Sequence, residues 1–423
     1  MHSFMIYILL LFISTIVLAC SSNFKEKPEN SAVISIDLDT PADSICLLSN
    51  IAESIEYYPI HINGLDKKCN IELLTDYIWV NYQTDSIRGS LFSRTYGTAI
   101  IEKIFSAPLQ DGGFELNDEV STYFRLENEK AMVCQVSEIR GTERHWLSVS
   151  LDAVTGEHTD TISFPFDNGV EYFRLEDRHV LRKHRIIGDD ILPSFKLDWY
   201  TADLDFIKQD VFSDTVFQTF VSWNQTKVHL LKDKVYFHFP TMETIYQVSA
   251  NHTPVPLYRY NVGNHRHAYH QIKDVAKYWE AERKGKLSCY AIRTSLIAEN
   301  YVFGGFNYKG MIHWVLFDRN THQTWVIPTQ STVDYRSLEG IKNDLDGGFD
   351  FWPRKISKNG EIYTWYTVKE LKDKVAQSNP EHMKNPEVAQ KLKKMLDNLP
   401  KDVNVIVAVL KERAEPKYEE NSL

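Results

Sequence analysis

A pattern that recurs six times along the chain limits its possible folds more than any other feature. Each copy has an apolar residue, a short polar turn with Asp, Asn or Glu, and then a run of β-forming residues. The copies begin at Leu74, Leu126, Leu175, Leu231, Ile297 and Ile356, at intervals of 52, 49, 56, 66 and 59 residues. Repeats of this length are typical of β-propellers, in which each repeat forms one blade.

A second element follows several of these turns and consists of two further strand-like runs joined by a polar turn. Examples are residues 145–164, 195–212, 244–260 and 313–328. Each repeat therefore holds about four strands joined by hairpins, which is the content of a propeller blade. The sequence predicts an all-β fold, a six-bladed β-propeller of four-stranded antiparallel blades. A β-sandwich or a pair of β domains is the alternative.

The C-terminal part of the chain changes to helical patterning over about residues 367–399. Thr367 and Glu370 form the T-x-x-E pattern of a capping box. Asn385 precedes Pro386, a pair typical of a helix start. We expect two short helices that pack an apolar face on the propeller.

Strand patterns return at both ends of the folded region. Residues 403–411 are almost continuously apolar, as expected of a strand covered on both faces. Near the other end, residues 34–38 alternate between apolar and polar side chains. A ring of blades must close on itself, so we expect a terminal strand to pair with strands from the opposite end of the chain.

The first residues of the chain are typical of export. Residues 1–19 carry an apolar run too short to cross a bilayer comfortably, which predicts a signal peptide. The run ends in "VLAC", similar to the lipobox of bacterial lipoproteins, so we expect Cys20 to be lipidated. Residues 20–31 would then form a lipidated tether, and residues 32–423 a single domain. An ordinary signal peptide is the alternative, since no Lys or Arg precedes the apolar run.

Composition and charge exclude two classes of protein. With 43% hydrophobic and 13% aromatic residues, the chain can bury a large core and is not a disordered protein. Its net charge of −10 arises from 57 acidic and 47 basic residues, without a long basic block. Such a surface repels a phosphate backbone, so we expect no nucleic-acid partner.

An acid-rich turn that reads "NDLDGGFDFW" is the strongest candidate for a ligand site. The residues able to contact a ligand there are Asn343, Asp344, Asp346, Asp350 and Trp352. Asp344 and Asp346 could also bind Ca²⁺, although the EF-hand spacing is not met. Asp-Gly-Gly is equally a strong turn signal, because glycine supplies positive φ. Three interpretations therefore stay open: a structural turn, a ligand-facing loop and a metal site.

A histidine cluster is the alternative metal site. His265, His267 and His270 lie within six residues, and on a strand the first two would share a face. Imidazoles placed in this way can bind Zn²⁺. A solvated group of exposed histidines is the other interpretation. Apart from Ca²⁺ at the acid-rich turn, the sequence predicts no cofactor.

Several segments carry a resemblance to a known family. These are residues 34–40, 47–60, 242–263, 341–353 and 396–413. They resemble the six-bladed β-propeller lipoproteins of Bacteroidetes, most of which have no assigned biochemical function. The resemblance implies the fold and an envelope location, and says little about mechanism.

Two functional hypotheses follow. The first is a binding or scaffold module, held by its N-terminal lipid at the cell envelope, most simply the outer membrane. Its partner would be a glycan, a peptide or an envelope protein. The second is a polysaccharide hydrolase or lyase with its site at the mouth of the propeller channel. The sequence identifies no catalytic residue and contains no common hydrolase or nucleotide-binding motif.

Overall fold

The computed structural model describes most of the chain from residue 33 onward. The described residues are 33–42, 44–62, 69–83, 87–94, 99–105, 124–126, 131–140, 143–152, 158–165, 170–174, 180–186, 194–201, 205–213, 227–232, 234–238, 243–249, 252–265, 280–281, 284–286, 289–293, 295–332 and 339–413. Two N-terminal strands, β1 (Ile34–Asp37) and β2 (Ala52–Ile60), flank a short helix, α1 (Leu48–Ile51). The predicted signal peptide, Cys20 and the tether lie outside the described residues.

Three sheets each consist of four consecutive antiparallel strands. Sheet 1 contains β3 (Cys69–Leu73), β4 (Tyr77–Gln83), β5 (Ile87–Ser93) and β6 (Ala99–Phe105). Sheet 2 contains β7 (Phe124–Leu126), β8 (Ala131–Arg140), β9 (Glu143–Asp152) and β10 (His158–Pro165). Sheet 3 contains β11 (Val170–Arg174), β12 (Val180–Ile186), β13 (Ser194–Tyr200) and β14 (Phe206–Ser213).

Two sheets depart from the predicted four strands. Sheet 4 contains β15 (Lys227–Leu231), β16 (Lys234–His238), β17 (Thr244–Val248) and β18 (Pro254–Asn261), and β1 adds to β18 in parallel as a fifth strand. Sheet 5 contains β19 (Ala291–Ile292), β20 (Leu296–Ile297), β21 (Tyr301–Tyr308), β22 (Met311–Asp318) and β23 (Thr324–Thr332). Since β19 and β20 both pair with β21, they are two halves of an interrupted first strand. The prediction of four-stranded antiparallel blades is therefore wrong for sheet 4, which has a parallel fifth strand, whereas sheet 5 has four strand positions of which the first is interrupted.

Sheet 6 joins the two ends of the chain. Its strands are β24 (Lys355–Ile356), β25 (Ile362–Thr367) and β26 (Val405–Glu412), and β2 pairs antiparallel with β26. The first six residues of β26 are buried. This confirms both the two-sided burial predicted for the strand and the predicted pairing of a terminal strand with the opposite end of the chain.

The six sequence repeats correspond to one place in each sheet. Every repeat begins at the end of the first strand, or directly after it, and continues into the second strand, as Leu231 does between β15 and β16. The first strands of sheets 4, 5 and 6, which are β15, β20 and β24, contact one another in that order. The architecture is therefore all-β and propeller-like, with few helices.

The C-terminal helices begin where the capping patterns predict. In α2 (Val368–Gln377), Glu370 N donates to Thr367 Oγ1 at 3.2 Å, and Thr367 N donates to Glu370 Oε2 at 3.0 Å. In α3 (Pro386–Asp397), Val388 N donates to Asn385 Oδ1 at 3.4 Å. No helix in the described part of the chain is long and apolar enough to cross a membrane.

Two hydrophobic cores connect sheets 1, 4, 5 and 6. The larger core contains residues of sheets 4, 5 and 6 with α2 and α3, and the smaller one joins sheet 6 to sheet 1. Sheets 4 and 5 meet where the Tyr260 hydroxyl lies 2.5 Å from Ser295 Oγ. A Cβ atom at Gly304 would lie 2.0 Å from the same hydroxyl, so this contact requires glycine.

Candidate functional site

Hydrogen bonds in the acid-rich turn converge on the carboxylate of Asp346, a residue that is 1% exposed. One carboxylate oxygen accepts hydrogen bonds from Asn343 Nδ2 at 2.7 Å and Gly348 N at 2.9 Å. The other oxygen accepts from the Tyr57 hydroxyl at 2.8 Å. Burial raises the pKa of Asp346, although these three hydrogen bonds act to lower it. Because Tyr57 lies on β2, the carboxylate ties the turn to sheet 6.

Asp344 makes a second tie, to helix α1. Its two carboxylate oxygens accept hydrogen bonds from Ser49 N at 2.9 Å and from Ser49 Oγ at 2.6 Å. Lys384 donates from Nζ to the same hydroxyl at 3.1 Å, and from its backbone N to Asp344 O at 2.8 Å. Asp344 thus connects α1 with the segment between α2 and α3.

The other residues predicted at this turn also contact protein groups. Asn343 N donates to Asp350 Oδ1 at 3.3 Å. The Trp352 ring stacks on Trp314 with centroids 4.7 Å apart and meets Phe303 edge-on at 5.4 Å. The structure therefore joins Asn343, Asp346 and Asp350 by hydrogen bonds, whereas Asp344 and Trp352 contact other parts of the protein. Ligand or Ca²⁺ binding by the turn stays a prediction, and within the described residues no cluster of three or more His, Cys, Asp or Glu could hold a metal.

His265 belongs to an aromatic stack. Its ring lies parallel to Tyr290 with centroids 4.4 Å apart, and Tyr308 meets it edge-on at 5.2 Å. His267 and His270 lie outside the described residues. The structure therefore does not show whether the three histidines meet, and the zinc site stays a prediction.

A polar cleft that the sequence did not point to lies between sheet 1 and sheet 6. Its volume is about 540 Å³. Sheet 1 contributes the turn between β3 and β4 and the residue after β5, whereas sheet 6 contributes β2, β26 and the turn between β24 and β25. The cleft is lined by Tyr58, Thr75, Asp76, Arg94, Asn359, Glu361 and Lys411.

Arg94 links the two walls of the cleft. Its guanidinium donates two hydrogen bonds of 2.8 Å to the two carboxylate oxygens of Glu361, and its side chain is only 11% exposed. It also donates to Leu74 O at 3.0 Å and to the Tyr58 hydroxyl at 3.2 Å. Burial alone would lower the pKa of Arg94, but the hydrogen bonds to Glu361 and Tyr58 outweigh it and raise the pKa. Paired in this way, Arg94 is a fixed structural charge.

The remaining polar groups of the cleft are also connected. The Tyr58 hydroxyl donates to Glu56 Oε2 at 2.5 Å, and Lys411 Nζ lies 3.0 Å from the same oxygen. Asn359 Nδ2 donates to Thr75 Oγ1 at 3.0 Å, which joins the two turns at the cleft rim. Burial acts to raise the pKa of Glu56, but the hydrogen bonds from Tyr58 and Lys411 outweigh it and lower the pKa.

The lining of the cleft suits recognition of an uncharged polar molecule. Two cationic side chains, Arg94 and Lys411, balance two anionic ones, Asp76 and Glu361. Both hydrogen-bond donors and acceptors are present, beside the ring of Tyr58. The sequence contained one indication of this site, because the two turns that line the cleft belong to the first and sixth sequence repeats. Nothing in the linear sequence shows that these two repeats are neighbours.

The C-terminal two thirds of the fold match a known family model. A model described as a domain of unknown function (DUF4934) matches residues 149–411. The chain belongs to the DUF4934 family. The cleft crosses the boundary of the matched region: Asn359, Glu361 and Lys411 lie within the DUF4934 match, and the sheet 1 residues precede it.

One solved structure shows a fold shared with this DUF4934 protein. A Bacteroides fragilis protein inferred to be exported has a TM-score of 0.56 at 14% identity, over 90% of this chain and 100% of that one. Identity this low shows a common fold alone. A member of the DUF4221 family from Bacteroides vulgatus has a TM-score of 0.42 at 10% identity, over 85% of this chain and 96% of that one. No curated protein sequence matches the chain.

Proposed function

We propose that this DUF4934 protein is a non-catalytic binding module whose ligand is an oligosaccharide held in the cleft between sheets 1 and 6. The single observation that carries the proposal is the charge-balanced lining of that cleft. Neutral oligosaccharides carry no charge, and their hydroxyl groups both donate and accept hydrogen bonds. The exposed side chains of Asp76 and Asn359 at the rim supply acceptors and donors of the kind that such a ligand needs.

The pairing of the charged groups favours binding over hydrolysis. A glycosidase uses two carboxyl groups about 5 to 9.5 Å apart, one of which donates a proton to the leaving group. In this cleft both oxygens of the Glu361 carboxylate already accept hydrogen bonds from Arg94, at 2.8 Å each. This carboxylate is therefore part of a fixed ion pair that links the two walls of the cleft.

The proposal extends to the whole ring and its location. We propose that the six sheets are the six blades of one propeller, with sheet 6 next to sheet 1. The Arg94–Glu361 pair and the shared core between those sheets support this order. Lipidation at Cys20 and the tether of residues 20–31 would hold the propeller at the cell envelope, at the outer membrane in our proposal.

A glycan microarray with neutral and acidic oligosaccharides tests the ligand class. The protein to apply is the chain from residue 21, which keeps every residue that the structure describes. We expect binding to neutral oligosaccharides, and at least about fivefold weaker binding after the double substitution D76A/N359A removes two hydrogen-bonding groups. The matched control is Lys391→Ala, an exposed residue of α3, which should bind as the unmodified chain does.

Three results would overturn parts of the proposal. Absence of binding to every oligosaccharide would exclude the ligand class and favour a peptide or an envelope protein as partner. Binding that survives D76A/N359A would place the site elsewhere on the protein. Shortened oligosaccharides after long incubation, detected by chromatography, would show that the protein is an enzyme.

A further inference from the structure

Two arginines occupy the same place in two different sheets. Arg94 directly follows β5, the third strand of sheet 1, and Arg319 directly follows β22, the third strand of sheet 5. Arg94 N donates to Asp76 O at 3.0 Å, in the turn between the first and second strands of its own sheet. Arg319 N donates to Asn300 O at 2.8 Å in the corresponding turn of sheet 5. Each guanidinium also donates from Nη1 to the two preceding carbonyls of that turn, so the two arginines are structurally equivalent.

Each arginine also contacts a tyrosine on the neighbouring sheet. Arg94 Nη2 donates to the hydroxyl of Tyr58, on β2 of sheet 6, at 3.2 Å. Arg319 Nε donates to the hydroxyl of Tyr258, on β18 of sheet 4, at 2.7 Å. The guanidinium carbon lies 4.9 Å from the ring centroid in the first pair and 5.8 Å in the second. The contact between sheets 4 and 5 therefore repeats the framework of the contact between sheets 6 and 1.

The two contacts differ in the residue that closes the first turn of the neighbouring sheet. In sheet 6 this residue is Glu361, whose two carboxylate oxygens accept hydrogen bonds from Arg94. In sheet 4 it is Lys234, the first residue of β16. Their positions correspond, because Glu361 O accepts from Ser357 N across the turn at 2.8 Å and Lys234 pairs with Leu231 across the shorter turn. Between sheets 4 and 5 a positive charge thus replaces the carboxylate.

Arg319 keeps hydrogen-bonding capacity that Arg94 has used. Its hydrogen bonds to protein groups come from Nε and Nη1, and within the described residues Nη2 has no partner. Arg319 is half-buried, Lys234 is exposed, and no carboxylate forms an ion pair with either in the part of the chain that the structure describes. A guanidinium binds a carboxylate through two parallel hydrogen bonds. A carboxylate from outside the protein can therefore take the place on Arg319 that Glu361 has on Arg94.

The other charged groups nearby do not cancel this positive charge. Lys232 forms an ion pair with Glu299, and both side chains are more than half exposed. Burial raises the pKa of Glu412 to about 7, while Arg319 acts to lower it, so this carboxyl group is only partly ionised at neutral pH. Asp233 lies outside the described residues. The described groups around Arg319 therefore leave an excess of positive charge.

We propose that the contact between sheets 4 and 5 holds a binding site for the carboxylate group of a small acidic molecule, either a sugar acid or a free organic acid. The carboxylate accepts hydrogen bonds from the Arg319 guanidinium, and Lys234 contributes a second positive charge. The site is the counterpart of the Arg94–Glu361 pair, with a carboxylate of the ligand in place of the protein's own. It is separate from the cleft and does not depend on the oligosaccharide ligand. Because its charges are partly solvated, we expect a dissociation constant in the millimolar range at low salt.

Isothermal titration calorimetry at low salt tests the site, with the chain from residue 21 and with glucuronate and acetate as titrants. Tighter binding of glucuronate would identify a sugar acid as the ligand, and equal binding of both a free organic acid. Lys234→Glu is the decisive variant, because it supplies at this position the carboxylate that Glu361 supplies in sheet 6. It should pair with Arg319 and weaken carboxylate binding at least about tenfold. Because Lys234 is exposed, the fold should be retained, which thermal unfolding checks.

The matched control is Lys391→Glu, which makes the same change of charge at an exposed position of α3 and should bind as the unmodified chain does. Absence of binding by both acids would overturn the proposal, as would unchanged binding by Lys234→Glu. An equal loss in Lys391→Glu would show a general effect of net charge in place of a site. The D76A/N359A variant should keep its full affinity for glucuronate, and a loss there would assign the acid to the cleft between sheets 1 and 6.

Discussion

Replacing Glu412 with glutamine is expected to stabilise the protein at pH 8 and to have a much smaller effect at pH 5. Glu412 is the last residue of β26, and its Oε1 accepts a hydrogen bond from Asn300 Nδ2 at 3.4 Å. Burial raises the pKa of Glu412 to about 7, although the Asn300 hydrogen bond acts to lower it, while nearby Glu299 raises it further.

The size of the effect follows from the two pKa values. The ordinary pKa is 4.5, so between pH 4.5 and 7 the folded state binds more protons than the unfolded state. Stability therefore falls as the pH rises through that window, and the whole loss is present above the folded pKa. At about 1.4 kcal/mol for each tenfold change in proton affinity, the loss is at most about 3 kcal/mol. Glutamine is uncharged at every pH and keeps an oxygen for Asn300.

Urea unfolding at pH 5 and pH 8 measures the difference. We expect the E412Q variant to gain about 1 to 3 kcal/mol in free energy of unfolding at pH 8, and less than about 1 kcal/mol at pH 5. Glu381→Gln is the control, because Glu381 is exposed, and it should change neither value. An equal gain at both pH values, or no gain at pH 8, would refute the assignment of a raised pKa to Glu412.

Three further substitutions test the tie at the acid-rich turn, the contact between sheets 4 and 5, and the cleft. Asp346→Ala leaves three hydrogen-bond donors without their acceptor. We expect it to lower the free energy of unfolding by about 3 to 5 kcal/mol in urea titrations. A loss below about 1 kcal/mol would contradict a stabilising role for these hydrogen bonds. Gly304→Ala places a methyl group against the Tyr260 hydroxyl. We expect a loss of about 1 to 3 kcal/mol in free energy of unfolding, seen as a lower thermal midpoint. An unchanged midpoint would show that Tyr260 can move aside without cost. Arg94→Lys keeps the positive charge but cannot bind both oxygens of Glu361. We expect the free energy of unfolding in urea to fall by about 1 to 3 kcal/mol. Equal stability would show that the two parallel hydrogen bonds to Glu361 are not needed.

Local patterns predicted most of the described elements. The repeat positions located the turn between the first two strands of each sheet, because an apolar residue followed by a polar turn depends only on neighbouring residues. The helix caps at Thr367 and Asn385 also depend only on neighbouring residues, and both were confirmed. The addition of β1 to sheet 4 was not predicted, since its partner β18 is distant in sequence and no local pattern selects between two sheet edges.

The candidate site shows the same limit. The turn with Asp344 and Asp346 has the composition of a ligand loop, yet its carboxylates bond to Ser49 and Tyr57, almost 300 residues earlier in the chain. A carboxylate that binds a ligand and one that binds a distant hydroxyl have the same appearance in a sequence. The cleft was missed for a related reason, because Arg94 and Glu361 meet only where sheet 1 packs beside sheet 6.

The pairing of β2 with β26 in sheet 6 also sets the order in which this sheet can form during biosynthesis. β2 is made early, but its partner β26 belongs to the last residues of the chain. A chain that emerges from a ribosome with its N-terminus first must keep β2 unpaired until β26 has also emerged. Its apolar side chains stay open to wrong partners for that whole period. Residues 52–60 are therefore the part of sheet 6 that must wait longest for a pairing partner.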